Sequence, residues 1–475
     1  MKKFDVVVLG SGPAGIEVCT FLSQSDKKVC LIEKNPSSFG GVCVNKGCMP
    51  TKHLVKVAEV IESGKKAHEF GVEIPSIEPN MVQIHKMKEM LVNQLGSMHQ
   101  KHTSAEIVFG HARFVSNDEV EVTLPNGSKE RVTGDQFIIA TGSRPRLISG
   151  IQIDGEYICT SDELLDNNVI PKKLLVVGGG VIGLEFASIY KSYGSDVTVI
   201  EAAPRIIPNE DVDTSIMVQD LLSKREISIY PSTIIEKAEI VEGKVICTFN
   251  GSYTDVDSFD KVLISVGRQP NTDDLGLENT DIKVEKGFIQ VNNYLQTDVP
   301  HIYAAGDVIP TLMLAHTAAY ESMVITTNMM QPESMPYNNK VAPRVVYTKP
   351  EIASVGLTET EAHERYDQIK VIIFPMIMNG KTVIEHTPEG RIKLIYKSDD
   401  GVLLGASIVG KGATELIHEL TLAVTHGLTI DDLKNTVHAH PTLSEIVWFA
   451  VLKGQPFSST QEFMANIPQV ENLFD

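Results

Sequence analysis

The chain has 475 residues, of which 42% are hydrophobic and 22% charged, as in globular proteins too long for a single core. Its 61 acidic residues outnumber 42 basic ones, and the net charge of -19 argues against nucleic acid or an anionic membrane as a partner. The sequence has neither a signal-peptide core nor an apolar run of about 18 residues, so we expect no membrane span and a reducing, cytoplasmic location.

A strand, a glycine-rich turn, a helix and a second strand open the chain. The apolar residues 6–9 lead into Gly10, Gly12 and Gly15, and the second strand ends at Glu33. The first glycine permits a tight turn, the second lets the backbone approach a pyrophosphate, and the third lets the helix pack on the strand. Free amides at the helix start would hold phosphates, and the acid would accept from ribose hydroxyls. This pattern predicts a dinucleotide site.

Two cysteines, Cys43 and Cys48, follow this unit in the segment GGVCVNKGCMPTK. In a reducing location, a close pair is more often redox-active or metal-binding than structural. Half of a zinc site is the alternative, but no second cysteine or histidine pair with ligand spacing lies nearby, so we expect no metal. The other four cysteines have apolar neighbours and are expected to be buried: Cys19, Cys30, Cys159 and Cys247.

Residues 80–102 have the pattern of an amphipathic helix. Met87, Met90, Leu91 and Leu95 contribute its apolar positions. We expect these methionines to fill the core rather than to form a ligand site.

The opening pattern recurs from residue 174. A strand leads into Gly178, Gly180 and Gly183, and a helix and a second strand end at Glu201. The first glycine and the acid are 23 residues apart in both copies. Because strand, turn, helix and acid recur at equal spacing, the sequence predicts two dinucleotide sites.

The acid of the second copy indicates which nicotinamide dinucleotide binds. A carboxylate at Glu201 favours the free 2′-hydroxyl of NAD and repels a 2′-phosphate. Arg205 could reach a phosphate, but we interpret it as a surface residue after Pro204.

The sequence pattern predicts secondary structure less clearly over the last two fifths of the chain. Residues 276–343 show only turn-rich strands. Farther on, strands precede a helix over 413–425, in which Leu416, Leu420 and Val424 share one face and Gly427 provides a stop.

The cysteine segment resembles the redox-disulfide motif of the flavoprotein disulfide reductases, a family that includes dihydrolipoamide dehydrogenase, glutathione reductase and mercuric reductase. The match continues in order through ATGSRP, SVGRQPN, IYAAGDV, VVYTKPEIASVGLTE and HAHPTLSE, and is weak near 60–110 and 376–392. The resemblance implies an α/β fold with two Rossmann-like domains, a central domain and a C-terminal α+β dimerisation domain. The expected bounds are 1–147 for FAD, 148–275 for NAD, 276–343 for the central domain and 344–475 for the interface domain.

The resemblance also implies roles for residues at the cysteine pair. Cys43 would exchange with substrate, and Cys48 would face the flavin. The turn before Cys48 is expected to start a helix, whose N-terminus would favour a Cys48 thiolate. Lys52 would lie near the flavin and pair with Glu185.

In HAHPTLSE, the resemblance assigns the base to His440, with Glu445 holding its other nitrogen, while His438 matches no catalytic position and is expected to be structural. The resemblance also implies cofactor contacts beyond the two glycine motifs: Ala112, Thr141, Gly142, Ser143, Gly267, Asp307, Met313, Leu314, Ala315 and His316.

Together these motifs imply an enzyme with FAD and NAD, most similar to dihydrolipoamide dehydrogenase. It would oxidise dihydrolipoamide to lipoamide with NAD⁺ through a Cys43–Cys48 disulfide. Lys46 and His53 depart from the family motif, which keeps open an NADH-dependent reductase of another disulfide, oxidant or metal ion. A third interpretation is that the protein is a redox-sensing or structural component with no catalytic turnover of its own.

The resemblance implies two kinds of partner. One is a second copy of the chain, in a homodimer whose active sites are shared between chains. The other is a small dithiol or disulfide, for which the lipoyl group of a 2-oxo acid dehydrogenase complex is the candidate.

Overall fold

The computed structural model describes residues 2–338 and 342–466, and within them the chain forms two compact units. The first comprises 2–149, 159–169 and 266–338; the second comprises 150–158, 170–265 and 342–466. Residues 339–341 and 467–475, which the predicted central and interface domains include, lie outside the described residues. The four predicted domain bounds remain predictions.

Helices and strands alternate along the described chain. The α-helices are α1 (Pro13–Leu22), α2 (Gly41–Asn45), α3 (Cys48–Lys65), α4 (Met81–His102), α5 (Ser161–Leu164), α6 (Val181–Tyr193), α7 (Val212–Lys224), α8 (Ala315–Met330), α9 (Glu359–Arg365), α10 (Gly380–Ile384), α11 (Ala413–His426), α12 (Ile430–Asn435), α13 (Glu445–Lys453) and α14 (Thr460–Asn466). The strands are β1 (Lys2–Leu9), β2 (Val29–Glu33), β3 (Glu106–Phe109), β4 (His111–Ser116), β5 (Glu119–Thr123), β6 (Lys129–Ile139), β7 (Ser143–Pro145), β8 (Ile158–Cys159), β9 (Lys173–Val177), β10 (Asp196–Ile200), β11 (Ile227–Tyr230), β12 (Thr233–Val241), β13 (Lys244–Gly251), β14 (Val256–Phe259), β15 (Lys261–Ile264), β16 (Arg268–Pro270), β17 (Val284–Glu285), β18 (Phe288–Ile289), β19 (Ile302–Ala304), β20 (Arg344–Val346), β21 (Glu351–Gly356), β22 (Ile369–Pro375), β23 (Arg391–Lys397), β24 (Leu403–Gly410) and β25 (Pro456–Phe457).

The first unit is built on a sheet in the order β3-β2-β1-β6-β5-β4, with β19 also paired to β6. Strands β3, β2, β1 and β6 run parallel, whereas β5 and β4 continue as an antiparallel meander. The residues 6–8 of β1 are fully buried, because β1 lies inside the sheet and apolar side chains cover both of its faces. The predicted strand, helix and acid of the first copy are confirmed by β1, α1 and β2.

The second unit repeats this arrangement and adds antiparallel sheets. Strands β11, β10, β9 and β15 lie side by side in parallel, with α6 joining β9 to β10 as the second glycine motif predicts. The C-terminal part is an antiparallel sheet, β20-β21-β24-β23-β22-β25. Helix α11 packs on it through the buried Leu416 and Leu420 and ends at Gly427, whose φ is 62°. The predicted helix and its stop are therefore confirmed.

Two expectations about helices were wrong. Helix α8 occupies the segment in which only turn-rich strands were expected. Its buried positions include polar residues such as Glu321, Ser322 and Asn328, which hide the apolar periodicity. Helix α4 forms as predicted, but Met87 and Met90 are 46% and 57% exposed, since its buried face is formed by Met81, Ile84, His85 and Lys88.

A fully buried lysine lies at the centre of a charge cluster in the second unit. Lys393 of β23 has no exposed side-chain surface and lies 3.2, 2.9 and 2.7 Å from Asp211, Asp213 and Glu359. Burial alone would lower the pKa of Lys393, but the charges of Asp211 and Asp213 outweigh it and raise that pKa. Arg391 adds a second cation at Asp213. The cluster is therefore a buried charge network in which each carboxylate depends on a cation.

We expect Lys393→Met to destabilise the second unit by roughly 3–5 kcal/mol, because it leaves buried carboxylates without their cation. Chemical denaturation measures the loss. Lys397→Met is the control, because Lys397 lies on the same strand and pairs with Asp400 at the surface. Equal effects of the two substitutions would contradict a special role for the buried network.

Candidate active site and dinucleotide sites

The first glycine turn is shaped by contacts that only glycine permits. Gly10 has φ 106°, and a Cβ on Gly15 would lie 1.9 Å from the carbonyl oxygen of Gly10. A Cβ on Gly12, at the start of α1, would meet no atom within 4 Å. Gly15 therefore packs the helix on the strand, whereas the surface at Gly12 is open for a ligand beside the helix N-terminus.

The second turn has the same geometry. Gly178 has φ 113°, and a Cβ on Gly183 would lie 2.0 Å from the carbonyl oxygen of Gly178. Gly180, at the start of α6, again has nothing within 4 Å of an added Cβ. Both turns thus have the open backbone that a pyrophosphate needs.

The acid that ends each second strand is held by the glycine turn. Glu33 Oε2 accepts hydrogen bonds from the Ser11 backbone N–H at 3.0 Å and the Ser11 hydroxyl at 2.6 Å. Glu201 Oε2 accepts from the Gly179 N–H at 2.7 Å. The two carboxylates therefore lie beside the turns, where a ribose would be recognised, and the residues fit two dinucleotides.

Arg205 is bound within its own loop. Its guanidinium donates to the carbonyl oxygens of Glu210 and Pro208, both at 2.6 Å. This agrees with the interpretation that Arg205 is not a phosphate ligand, and leaves Glu201 as the charge at the second acid position.

The two cysteines of the redox motif interact as thiols in the structure. Cys43 lies in the short helix α2, and Cys48 is the first residue of α3, as expected. A hydrogen bond to Cys48, together with burial, raises the pKa of the Cys43 thiol, while the charge of Lys52 opposes that rise. The raised pKa disfavours a thiolate at Cys43, and the position of Cys48 at the N-terminus of α3 favours a thiolate there. The remaining four cysteines are buried, as predicted.

The segment ATGSRP and residues 266–271 of SVGRQPN meet in the first unit beside Asp307. The Ser143 hydroxyl donates to the Asp307 carboxylate and accepts from Arg268 Nε at 2.6 Å. Thr141 Oγ1 donates to the Asn271 carbonyl at 2.8 Å, and Gly142 accepts from the Asn271 N–H at 2.9 Å. The remaining residues predicted to contact a cofactor lie in SVGRQPN or in other segments. The Gly267 carbonyl, in a residue with φ 101°, accepts from the Arg146 N–H, and Ala112 is buried in β4 opposite Val122. Met313 and Leu314 precede α8, and Ala315 and His316 form its first turn.

His440 and Glu445 form a dyad in the second unit. His440 Nδ1 lies 2.9 Å from Glu445 Oε1, and the Thr442 N–H donates to Oε2 at 3.0 Å. Burial opposes ionisation of Glu445, but the hydrogen bonds from Thr442 and His440 outweigh burial, so the pKa of this carboxyl lies below its ordinary value. The carboxylate fixes the proton on Nδ1, and Nε2 of the 75% exposed ring is then available as a base.

His438 has the structural environment expected of it. Its side chain is 6% exposed, Nδ1 donates to the Thr436 carbonyl, and Nε2 lies 3.0 Å from Glu419. The ring is thus held within the fold.

The sequence did not identify Asn379 as important for the dyad. Its fully buried side chain donates to the carbonyl oxygens of Thr442 and Leu443 at 3.1 and 3.2 Å, which fixes the loop between His440 and Glu445. Asn379 lies in the segment where the family match is weak, and it precedes a helix of only five residues. A capping residue there is the only local signal, and it does not reveal the distant partners.

Predicted residues are divided between the two units. The first holds both cysteines, Lys52, the first glycine turn and Asp307; the second holds the second turn, Glu201 and the dyad. Glu185 also lies in the second unit, where it is buried and accepts from the Tyr347 N–H at 3.0 Å. The pairing of Lys52 with Glu185 remains a prediction.

Across residues 2–338 and 342–466, no group of three or more metal-ligating side chains could hold a metal ion. Within the same ranges, none of the helices has the length and apolar character needed to cross a bilayer.

Comparison with protein families shows the family to which the chain belongs. Residues 4–322 match the pyridine nucleotide-disulphide oxidoreductase family, and residues 342–451 match the dimerisation domain of the same family. The chain belongs to this family. It is accordingly an α/β flavoprotein oxidoreductase with FAD and NAD(H) as cofactors, as its motifs predict.

Curated relatives cover nearly the whole chain. A dihydrolipoyl dehydrogenase of Bacillus subtilis is 36% identical over 95% of this chain and 98% of its own length. Another, of Chlorobaculum tepidum, is 36% identical over 94% and 96%.

Solved structures of the family have the same fold. LpdA of Mycobacterium tuberculosis is similar with a TM-score of 0.87 at 25% identity, covering 95% of this chain and 99% of its own. The HOCl-induced flavoprotein disulfide reductase RclA of Escherichia coli, solved as a Cu(II) complex, is similar with a TM-score of 0.85 at 28% identity, again over 95% and 99%.

The two glycines of the first turn should respond differently to alanine. Gly12→Ala should leave a folded protein with weakened flavin binding, because its methyl group extends into the open ligand side. Gly15→Ala should destabilise the fold itself, because its methyl group would overlap the Gly10 carbonyl. Flavin absorbance and thermal unfolding of the purified variants separate the two effects. Full flavin binding by Gly12→Ala would contradict the assignment of this turn.

A buried acid beneath Asp307 should make stability depend on pH. Burial raises the pKa of Glu321 to about 7 from 4.5, against hydrogen bonds from Gly306 and Thr311. Between these values the unfolded chain releases a proton that the folded chain keeps, so stability should fall as pH rises from about 4.5 to about 7, by up to about 3 kcal/mol. Urea denaturation across this range measures the slope. Glu321→Gln should flatten it, and an unchanged slope in this variant would assign the dependence elsewhere.

Proposed function

We propose that the protein oxidises dihydrolipoamide to lipoamide with NAD⁺, using Cys43 and Cys48 as its redox pair. The proposal is supported chiefly by the side-chain contact between Cys43 and Cys48, with Cys48 at the N-terminus of α3. The names of the curated relatives favour a lipoyl substrate among the disulfides that such a pair can exchange with.

The exchange begins from the oxidised pair. One thiol of dihydrolipoamide gives its proton to His440 Nε2, and the sulfur attacks Cys43 Sγ. A substrate–Cys43 bond forms as the Cys43–Cys48 bond breaks, and Cys48 leaves as a thiolate. The position of Cys48 at the N-terminus of α3 favours this step, since a more acidic thiol is a better leaving group.

The second half releases the product. The other substrate thiol attacks the substrate sulfur of the mixed disulfide, so lipoamide leaves with an internal disulfide and Cys43 departs as a thiolate. His440 gives the proton of the first thiol to Cys43 and takes up the proton of the second thiol, so the reduced enzyme holds one proton on Cys43 and one on His440 while Cys48 is a thiolate. Two electrons and two protons have then moved from substrate to the enzyme.

The dinucleotide sites complete the cycle. Bound FAD supplies the two-electron carrier between the thiol pair and NAD⁺, a chemistry that side chains lack. FAD would be held by the first glycine turn together with Glu33 and Asp307. NAD would be held by the second glycine turn together with Glu201, which would select the free 2′-hydroxyl.

The base and the thiols belong to different units of the described chain. The family match to a dimerisation domain over the segment that contains the dyad favours a homodimer. We infer that each site uses Cys43 and Cys48 of one chain and His440 and Glu445 of the other, in a two-fold dimer.

A second candidate is reduction of a metal ion or oxidant by NADH. RclA, with a similar fold, was solved with Cu(II), and Lys46 and His53 depart from the family motif here. The same thiol pair would then deliver electrons to an acceptor other than a disulfide.

A substrate panel tests the proposed function. With NADH as donor, we expect lipoamide to exceed glutathione disulfide and Cu(II) in kcat/KM by at least about tenfold. His440→Ala should lower lipoamide turnover by roughly 10²- to 10⁴-fold, as for a lost general base. Reduction of an artificial acceptor by NADH should persist in this variant, because it bypasses the thiol step. Preference for Cu(II) over lipoamide would favour the second candidate.

Mixed dimers test the shared site. Cys43→Ser and His440→Ala are each expected to be inactive with lipoamide, but subunit exchange between them should restore activity, because one site per mixed dimer is then intact. The matched control mixes Cys43→Ser with Cys48→Ser. This mixture should stay inactive whether the site is shared between chains or lies within one chain, because neither chain has an intact cysteine pair. No recovery in confirmed mixed dimers of the first pair would place the whole site within one chain.

A further inference from the structure

The loop that carries the cysteine pair is fastened to another segment by a residue that lies between the two cysteines. Lys46 follows α2, and its Nζ donates to Asp162 Oδ2 at 3.2 Å. Asp162 lies in α5, which belongs to the same unit although 116 residues separate the two side chains in sequence.

Backbone geometry and other hydrogen bonds hold the start of the loop. Gly40 and Gly41 have φ values of 97° and 64°, so the backbone enters the loop through left-handed conformations. The Asn45 side chain donates to the carbonyl oxygens of Phe39 and Gly41 at 3.1 and 2.8 Å, closing the loop on itself. The Gly40 N–H donates to the Ser11 carbonyl at 3.1 Å, and Lys46 adds a connection from the other end of the loop to α5.

The receiving helix α5 is itself held in place. A capping box formed by Thr160 and Glu163 fixes its N-terminus. The Lys88 ammonium, only 4% exposed, donates to the Leu165 carbonyl at 2.7 Å at the other end. Asp162 is therefore a fixed anchor rather than a mobile surface acid.

The anchor depends on Lys46. The Asp162 side chain is 18% exposed, and its Oδ1 is buried with no hydrogen-bond partner in the part of the chain that the structure describes. Loss of the contact with Lys46 would remove the cation from a largely buried carboxylate, which is costly. The pair is thus expected to stay closed, although the Lys46 side chain is 54% exposed.

We propose that Lys46 is a positioning residue whose ion pair with Asp162 fixes the loop between Cys43 and Cys48, and thereby sets how readily the two thiols form their disulfide. The proposal deepens the proposed function and rests on its assignment of Cys43 and Cys48 as the redox pair. A fixed loop keeps the two sulfurs at a high effective concentration, whereas a loosened loop favours the dithiol.

A purely electrostatic role of Lys46 makes a different prediction. A cation near the sulfurs would stabilise thiolates, so removal of its charge would favour the disulfide. Removal of the Asp162 charge would strengthen the field of Lys46 and favour the dithiol. The two substitutions would then act in opposite directions, whereas loss of a mechanical link gives both the same direction.

The experiment measures the thiol pair directly. Purified full-length protein is equilibrated with mixtures of reduced and oxidised glutathione, and the Cys43–Cys48 disulfide is quantified by alkylation and mass spectrometry. Two glutathione molecules are oxidised for each disulfide reduced. We expect Lys46→Met and Asp162→Asn each to shift this equilibrium roughly 3- to 10-fold toward the dithiol, and the double variant to shift it no further.

Two control variants test whether the shift is specific to the Lys46–Asp162 ion pair. Lys56→Met removes another exposed lysine, paired with Glu59 on α3 at 2.9 Å, and should leave the equilibrium unchanged. Lys46→Arg keeps the positive charge and should retain the wild-type equilibrium between disulfide and dithiol. Comparison of Lys46→Arg with Lys46→Met therefore tests the proposal even if Asp162→Asn fails to fold.

Shifts in opposite directions, additive shifts, or no shift would overturn the positioning role. Failure of the proposed function would be seen separately, because wild-type protein would then form no Cys43–Cys48 disulfide in any of the mixtures, or would form it yet turn over another substrate in the panel.

Discussion

The contact between each glycine-turn helix and the strand before it is the constraint on which both dinucleotide sites depend. Gly15 against Gly10, and Gly183 against Gly178, bring each helix so close to the turn before it that no Cβ fits between them. A side chain at either third glycine would separate the layers. The open surface at Gly12 and Gly180 follows from this packing, because each lies at the tip of a helix whose position is already fixed.

Carboxylates perform the same structural task in several parts of the molecule. Glu33 and Glu201 hold their glycine turns, Glu321 holds the Gly306 amide before Asp307, and Glu445 holds both His440 and the Thr442 amide. In each case an acid binds a backbone N–H that the loop cannot satisfy internally. Burial raises the pKa of both Glu321 and Glu445, and their partners decide the net direction, which is upward for Glu321 and downward for Glu445. Glu321 has no cation among its partners, whereas Glu445 accepts from a histidine.

The cysteine pair and the His440–Glu445 dyad are held in place by separate contacts. The thiols depend on the N-terminus of α3 and on the loop that Lys46 ties to α5, whereas the dyad depends on Asn379 and the start of α13. Each group therefore keeps its local geometry without the other. Such independence would suit the proposed active site, to which two chains each contribute one of these groups.

Sequence alone determined the two βαβ units, the start of α3 at Cys48, and helix α11 with its glycine stop, because these depend on spacing and on local backbone chemistry that a short segment contains. It also determined which residue types meet at the cysteine pair and in the dyad. It failed for α8 and for the exposed methionines of α4, because the buried faces of both helices include polar side chains, which hide the apolar periodicity. Only the tertiary structure could decide that Lys46 meets Asp162, that Asn379 holds the loop of His440, and that Arg268 binds Ser143 beside Asp307. Those contacts join residues more than 60 positions apart, and no periodicity or motif encodes a hydrogen bond that forms only once separate elements have packed together.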